Sequence, residues 1–138
     1  MIQKQFAARA AEILKEDRSV IGLAVAGSWL TDEMDEFSDL DLILVTAKKI
    51  AGNKSDMLSY ASRLGQLLTG FTGEHAGEPR VLICLYDNPL LHVDIKFLTT
   101  EEFQTRIETP VILLDNDLQL HQAINRHPLS FLTRIING

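Results

Sequence analysis

The sequence predicts an α/β domain, more broadly of the α+β class, in which four or five β-strands are combined with helices. Its 138 residues correspond to one domain of ordinary size. Hydrophobic residues make up 46% of the chain, which is enough to build a core without disulfides or a structural metal. Apolar residues with helical spacing alternate along the chain with short apolar runs that are typical of strands. One domain with one functional site is therefore expected.

The first half of the chain predicts a helix followed by two strands. Residues 2–16 carry an apolar stripe with helical spacing. The run 20–26 has no polar side chain, so we expect a strand in the interior of the sheet, buried on both faces. Ser28 can cap a short helical segment that ends near Phe37. Residues 39–45 alternate and then become fully apolar, which predicts a strand with an exposed acidic end.

The middle of the chain predicts a helix, a loop and a hairpin. Apolar residues repeat every three or four positions over 56–68, which predicts a second long helix. Residues 70–79 have the composition of a loop. Strands are expected over 80–86 and 91–98, and the turn-rich residues 87–90 between them indicate an antiparallel hairpin.

The last part of the chain predicts a short helix, one more strand and a tail. Thr99 and Glu102 have the spacing of a capping box that opens the helix. The final strand is expected over 111–114. We assign residues 1–120 to the domain and residues 121–138 to a C-terminal tail, because the tail has too few apolar positions to form a second core.

Charge and cysteine content argue against several classes of protein. Thirteen basic and nineteen acidic residues give a net charge of −6, which disfavours the broad phosphate contacts of a nonspecific nucleic-acid-binding protein. The longest uncharged stretch, 19–31, is too short to cross a bilayer, and the charged N-terminus is unlike a signal peptide. Cys84 is the single cysteine and lies in an apolar run, where a buried, inert thiol is expected. We expect a cytoplasmic protein with no membrane partner.

Three aspartates form the candidate catalytic and metal-binding group. Asp39 and Asp41 are two residues apart on a predicted strand, so their side chains share a face roughly 6.5–7 Å apart. Asp94 lies on the polar face of the second hairpin strand. Three such carboxylates could hold two metal ions about 3.5–4 Å apart, an arrangement that serves phosphoryl transfer. Magnesium is the expected ion, because it takes oxygen ligands and shares its coordination shell with substrate phosphates.

Two further side chains lie on the polar face of Asp94. For His92 the expected arrangement is a hydrogen bond to a neighbouring carboxylate, and contact with a metal or substrate is the alternative. For Lys96 the expected arrangement is solvent exposure or an ion pair with a nearby acid, and contact with a phosphate is the alternative.

Gly27 and Ser28 are the candidate nucleotide-binding residues. A glycine at the end of a strand lets a phosphate approach the backbone, and the N–H groups of a following helix N-terminus favour an anion. The Ser28 hydroxyl can donate a further hydrogen bond. A triphosphate would then be bound by these two residues at one end and by metal ions at the other.

These residues together resemble the motif of the polymerase-beta-like nucleotidyltransferase superfamily. In that superfamily a Gly-Ser pair is followed, about ten residues later, by two acidic residues that flank an apolar one, and a third acidic residue lies on a later strand. Here the corresponding residues are Gly27 and Ser28, then Asp39 and Asp41, and finally Asp94. The resemblance covers roughly residues 20–98 and implies a mixed β-sheet of about four to five strands flanked by helices.

The resemblance also implies a reaction and its cofactors. It implies Mg²⁺-dependent transfer of a nucleoside monophosphate, most simply AMP from ATP, to a hydroxyl of a small-molecule or protein acceptor, with release of pyrophosphate. Gly27 and Ser28 would hold the triphosphate, and Asp39 and Asp41 would ligate both of two Mg²⁺ ions. Asp94 would ligate the catalytic ion and help to deprotonate the acceptor. The most similar subfamilies are the small bacterial antibiotic adenylyltransferases and the minimal nucleotidyltransferases that pair with helical proteins.

One departure from the antibiotic-modifying relatives concerns the acceptor. Those relatives carry a helical domain after the sheet, whereas about twenty residues follow Leu118 here. A helical partner protein or a second copy in a homodimer would then complete the acceptor site, or the chain is a shortened relative. Residues 121–138 are either a docking segment or the remnant of a helical domain. The alternative function is a catalytically weak nucleotide- or partner-binding module, such as an antitoxin-like subunit.

Overall fold

The computed structural model of the protein describes residues 2–26, 39–74, 77–105 and 110–126. The helices are α1 (Ile2–Leu14), α2 (Lys54–Arg63), α3 (Thr100–Gln104) and α4 (Gln119–Arg126), and one 3₁₀ turn covers Asn116–Leu118. The strands are β1 (Val20–Ala26), β2 (Leu40–Thr46), β3 (Gln66–Gly73), β4 (Glu78–Asp87), β5 (Leu91–Leu98) and β6 (Val111–Asp115). None of the described helices is long and apolar enough to span a membrane.

The strands form one mixed sheet in the order β3-β4-β5-β2-β1-β6. Strands β2 and β5 are parallel, and the other neighbouring pairs are antiparallel. The predicted mixed sheet flanked by helices is confirmed, with six strands rather than the expected four or five. Strand β1 has the predicted bounds. It pairs with β2 on one side and with β6 on the other, as expected for a strand without polar side chains in the interior of the sheet.

The additional strand is β3, and here the sequence-based prediction was wrong. The helix expected over 56–68 ends at Arg63, and Gln66–Gly73 pairs with β4 in the region expected to be helix and loop. Leu68, the last apolar residue of the predicted helix, is 53% exposed on this edge strand, so its helical spacing does not indicate a buried helix face. Phe71 on the same strand is 45% exposed. Gly65 lies between α2 and β3 and packs closely on Tyr86, because a Cβ there would lie 3.1 Å from the Tyr86 ring.

The hairpin and the capping box are confirmed. Strands β4 and β5 pair antiparallel, with Tyr86 opposite Leu91 across the predicted turn. The Thr99 side chain accepts a hydrogen bond from the Glu102 backbone N–H, and the Glu102 carboxylate accepts one from the Thr99 backbone N–H. Two of the backbone N–H groups at the start of α3 are thereby satisfied.

Helices cover both faces of the sheet because successive strand residues point to opposite sides. On one face, α1 and α2 bury small and apolar side chains against a cluster that includes Leu44 and Phe97. On the other face, α3 and α4 pack against a second cluster that includes Val45 and Leu98. Strands β1, β2, β5 and β6 therefore contribute residues to both clusters, and this alternation determines which polar side chains emerge together.

Helix α4 packs closely on β1 and extends past residue 120. A Cβ at Gly22 would lie 2.5 Å from both the Leu114 carbonyl oxygen and the Leu120 side chain, so glycine is required for this contact. Leu120 and Ala123 are both buried in the second cluster. The domain boundary at residue 120 stays a prediction, and residues 127–138 lie outside the described residues. Cys84 is buried as expected, and burial raises the pKa of its thiol to about 12.

Candidate functional site

The parallel pairing of β2 and β5 brings the predicted carboxylates to one end of the sheet. Asp39 immediately precedes β2, and the Cα of Asp41 lies opposite that of Asp94 in the register. The three aspartates alternate with buried residues, so they project from the face that also carries Val45 and Leu98. Asp39 is exposed, whereas Asp41 and Asp94 are half-buried. The carboxylates therefore lie where the second cluster ends and solvent begins.

An imidazole lies between two of these carboxylates. His92 Nδ1 is 3.2 Å from an oxygen of Asp39, and His92 Nε2 is 3.0 Å from an oxygen of Asp94. One ligand atom of each of the three residues lies within 4.8 Å of the others. The expected hydrogen bond from His92 to a neighbouring carboxylate is confirmed. The sequence signal for this contact was the alternation that places His92 and Asp94 on one face of a strand, but it left His92 outside the predicted site.

The electrostatics of the group favour a bound cation. Burial raises the pKa of the Asp94 carboxyl above its ordinary value, and the Asp39 carboxylate raises it further, while the His92 imidazole opposes both effects. A divalent ion near both carboxylates would remove the repulsion between them. Carboxylate oxygens suit Mg²⁺, and an imidazole nitrogen is also a ligand for transition metals. The donor set of Asp39, His92 and Asp94 therefore fits a divalent cation.

Not every predicted site residue belongs to this close group. Asp41 lies beside the group by register, opposite both Asp94 on β5 and Ala26 on β1, but its donor atoms are not among the three that cluster. Ala26 is the residue before Gly27, so β1 ends beside the acidic end of β2. Gly27 and Ser28 themselves lie outside the described residues, as does the helical segment expected after them.

Lys96 belongs to a separate group of ion pairs. Its ammonium is 4.0 Å from Glu78, which confirms the expected pairing with a nearby acid. The Arg80 guanidinium is 2.9 Å from Glu78 and 3.5 Å from Glu102, and the hydrogen bond from Arg80 lowers the pKa of the Glu78 carboxyl. Lys96 thus pairs with Glu78, which is not one of the aspartates of the candidate site.

Comparisons with known proteins identify the family. A model of the family described as nucleotidyltransferase domain matches residues 7–112. Among solved structures, the polymerase core of TRAMP, an RNA surveillance complex, is similar over 69% of this chain, with 23% sequence identity and a TM-score of 0.48. The chain spans 30% of the length of that structure. A comparison with curated proteins gave no match. Because the family match covers well over half of the chain and includes both β2 and β5, the protein belongs to the nucleotidyltransferase domain family, within the polymerase-beta-like superfamily.

Proposed function

We propose that the protein transfers a nucleoside monophosphate, AMP from ATP, to a hydroxyl of a small-molecule or protein acceptor and releases pyrophosphate. Membership in the nucleotidyltransferase family supports nucleotidyl transfer in general. The observation that carries the more specific proposal is the convergence of Asp39 and Asp94 on His92 at the paired ends of β2 and β5. Two carboxylates with oxygens within 4.8 Å of each other could share a divalent cation, and phosphoryl transfer depends mainly on such positioning and charge neutralisation.

In this proposal the three aspartates hold two Mg²⁺ ions. When bound, the ions would neutralise the triphosphate and orient its α-phosphoryl group. Asp39 and Asp41 contribute the carboxylates from β2, and Asp94 contributes the carboxylate from β5. The half-buried position of Asp94 limits its access to water, and its raised pKa makes its carboxylate a stronger base than an ordinary aspartate for accepting the proton of the acceptor hydroxyl.

Gly27 and Ser28 are the proposed binding residues for the triphosphate. The position of the end of β1 supports this proposal, because Ala26, the residue before Gly27, lies opposite Asp41 in the sheet. A phosphate chain bound by backbone N–H groups after Ala26 would extend toward the carboxylates on the neighbouring strand. Substrate and cations would thus meet between the ends of β1, β2 and β5.

The acceptor site is proposed to be completed by another polypeptide. Strand β3 lies at one edge of the sheet and exposes Leu68 and Phe71. The described helices α3 and α4 pack over the second cluster, on one face of the sheet. A helical partner or a second copy of the chain could supply the surface that selects the acceptor. Of the predicted tail 121–138, the residues that follow α4, 127–138, would take part in this docking, because Ala123 is already buried in the second cluster.

The test is a transfer assay with purified protein and α-labelled ATP, GTP, CTP and UTP, with Mg²⁺ or Mn²⁺. Aminoglycosides, lincosamides and protein substrates serve as candidate acceptors, and pyrophosphate release is followed in parallel. Label transfer that is lost in Asp41→Asn but kept in the charge-matched control Glu16→Gln is the expected result. Cation-dependent ATP binding without transfer to any acceptor would instead favour a binding module. A chain that binds neither cation nor nucleotide would contradict both functions.

A further inference from the structure

The imidazole of His92 contacts both Asp39 and Asp94. We propose that His92 is a nitrogen ligand of the cation held by Asp39 and Asp94, so that the site favours a transition-metal ion such as Mn²⁺ over Mg²⁺. This inference rests on the proposed function, because it concerns the same cation site. It adds a third protein ligand of a different chemical kind and predicts which ion the protein prefers.

The distances allow this coordination. Ligand bonds of about 2.0–2.2 Å place neighbouring donors around one ion roughly 3 Å apart. His92 Nε2 and the Asp94 oxygen are already 3.0 Å apart, and all three residues offer a donor atom within 4.8 Å of the others. A cation between the two carboxylates therefore lies within reach of the imidazole.

The backbone holds His92 in this position. Its neighbours Leu91 and Val93 are 4% and 0% exposed and point into the core on the opposite face of the sheet. The side chain of His92 must therefore project from the face that carries Asp94. Within the part of the chain that the structure describes, His92 is also the one basic side chain that pairs with Asp39 or Asp94.

The chemistry of the donors then sets the preference between ions. Mg²⁺ strongly prefers oxygen ligands and keeps several of its waters. Mn²⁺ also takes carboxylate and water ligands, but as a first-row transition-metal ion it accepts an imidazole nitrogen more readily than Mg²⁺ does, although less readily than the later metals of the series. A site with two carboxylates alone would suit Mg²⁺, and the added nitrogen shifts the balance toward Mn²⁺. Removal of the imidazole should therefore change the affinity for Mn²⁺ more than the affinity for Mg²⁺.

The experiment measures cation binding to the full chain at one fixed pH, with His92→Gln as the test variant. His121→Gln is the matched control, because His121 also pairs with an aspartate, Asp115, but lies at the other end of β1. Calorimetric titrations with Mn²⁺ and Mg²⁺ give the ratio of the two affinities. The Mn²⁺ affinity should fall on the order of 10-fold or more in His92→Gln, with a change below about 3-fold for Mg²⁺. The control should keep the wild-type ratio.

Electron spin-echo spectroscopy of protein with half an equivalent of Mn²⁺ gives a direct readout. Coupling of the ion to an imidazole nitrogen is expected in the wild type and in His121→Gln, and its loss is expected in His92→Gln. Bound Mn²⁺ without nitrogen coupling, or equal changes in both affinities, would overturn the inference. Nitrogen coupling in a protein that transfers no nucleotide would support the inference and contradict the proposed function. Failure of the wild type to bind either ion would contradict both.

Discussion

Replacement of Asp94 by asparagine should separate the stability of the fold from its capacity to bind ligand. Asparagine has nearly the same shape and can still hydrogen-bond to His92. The substitution removes the carboxylate from a partly exposed contact with His92, and such contacts are worth at most about 1 kcal/mol. It also removes a half-buried charge that Asp39 repels. These effects oppose each other, so the free energy of unfolding without ligand should change by less than about 1 kcal/mol, or roughly 3 °C in Tm.

The effect of ligand is expected to be much larger. At a hundred times its Kd, Mg-ATP should stabilise the wild-type fold by about 2.7 kcal/mol, or roughly 8 °C for a chain of this size. If the loss of the Asp94 carboxylate weakens binding 100-fold, the same concentration stabilises the variant by about 0.4 kcal/mol, which is roughly 1 °C. Thermal unfolding with and without Mg-ATP measures both quantities. The control Glu16→Gln removes one exposed charge and should keep the full shift.

The pH dependence gives an independent check. Because the pKa of Asp94 is raised in the folded state, the folded protein binds the proton more tightly than the unfolded chain does. The wild type therefore loses stability as pH rises through the titration of this carboxyl, and the variant does not. The difference between them should favour the variant most at neutral pH and shrink as the pH falls. A full Mg-ATP shift in Asp94→Asn would refute the role of Asp94 as a cation ligand.

Three further predictions concern the fold. Tyr86→Phe removes the hydrogen bond from the buried hydroxyl to the Ala61 carbonyl, 2.7 Å away, and should lower the free energy of unfolding by about 1 kcal/mol in urea denaturation. Cys84 should react with a thiol reagent no faster than the protein unfolds, because its pKa of about 12 prevents thiolate formation, and rapid modification of the native protein would contradict its burial. Hydrogen bonds from Ser19 lower the pKa of Asp17, so its stabilisation is complete above the unfolded value near 3.8 and is lost as the pH falls. The difference in urea midpoint between the wild type and Asp17→Asn should therefore be constant above about pH 5 and shrink as the pH falls below the unfolded value near 3.8, and a difference that stays constant in acid would contradict this assignment.

Local patterns in the sequence predicted much of the fold. The run without polar side chains gave the bounds of β1, and the turn-rich tetrapeptide located the hairpin of β4 and β5. The capping box at Thr99 is present as expected. In each case the determining interaction is between residues close in sequence, or it is simple burial. Such features are encoded in residue order alone.

The prediction failed where pairing between strands overrides the helical spacing of apolar residues within one segment. Leu67 and Leu68 continue the helical period of α2, but hydrogen bonds to β4 place them in an edge strand. Strand β3 forms although Phe71 is exposed, because its backbone N–H and C=O groups can hydrogen-bond to β4. No local pattern contains the information that β4 offers an unpaired edge to residues 66–73.

The candidate site shows the same division. By itself, the sequence determined the fold class, the family, and the three aspartates proposed for chemistry, because these depend on residue types at fixed spacings. Only the tertiary structure decided that β2 and β5 lie parallel and in register, which places Asp41 opposite Asp94 across 52 intervening positions. It also decided that the imidazole of His92 contacts both Asp39 and Asp94. Contacts between side chains on different strands depend on sheet order and register, which are set by the burial of the whole core rather than by any one segment.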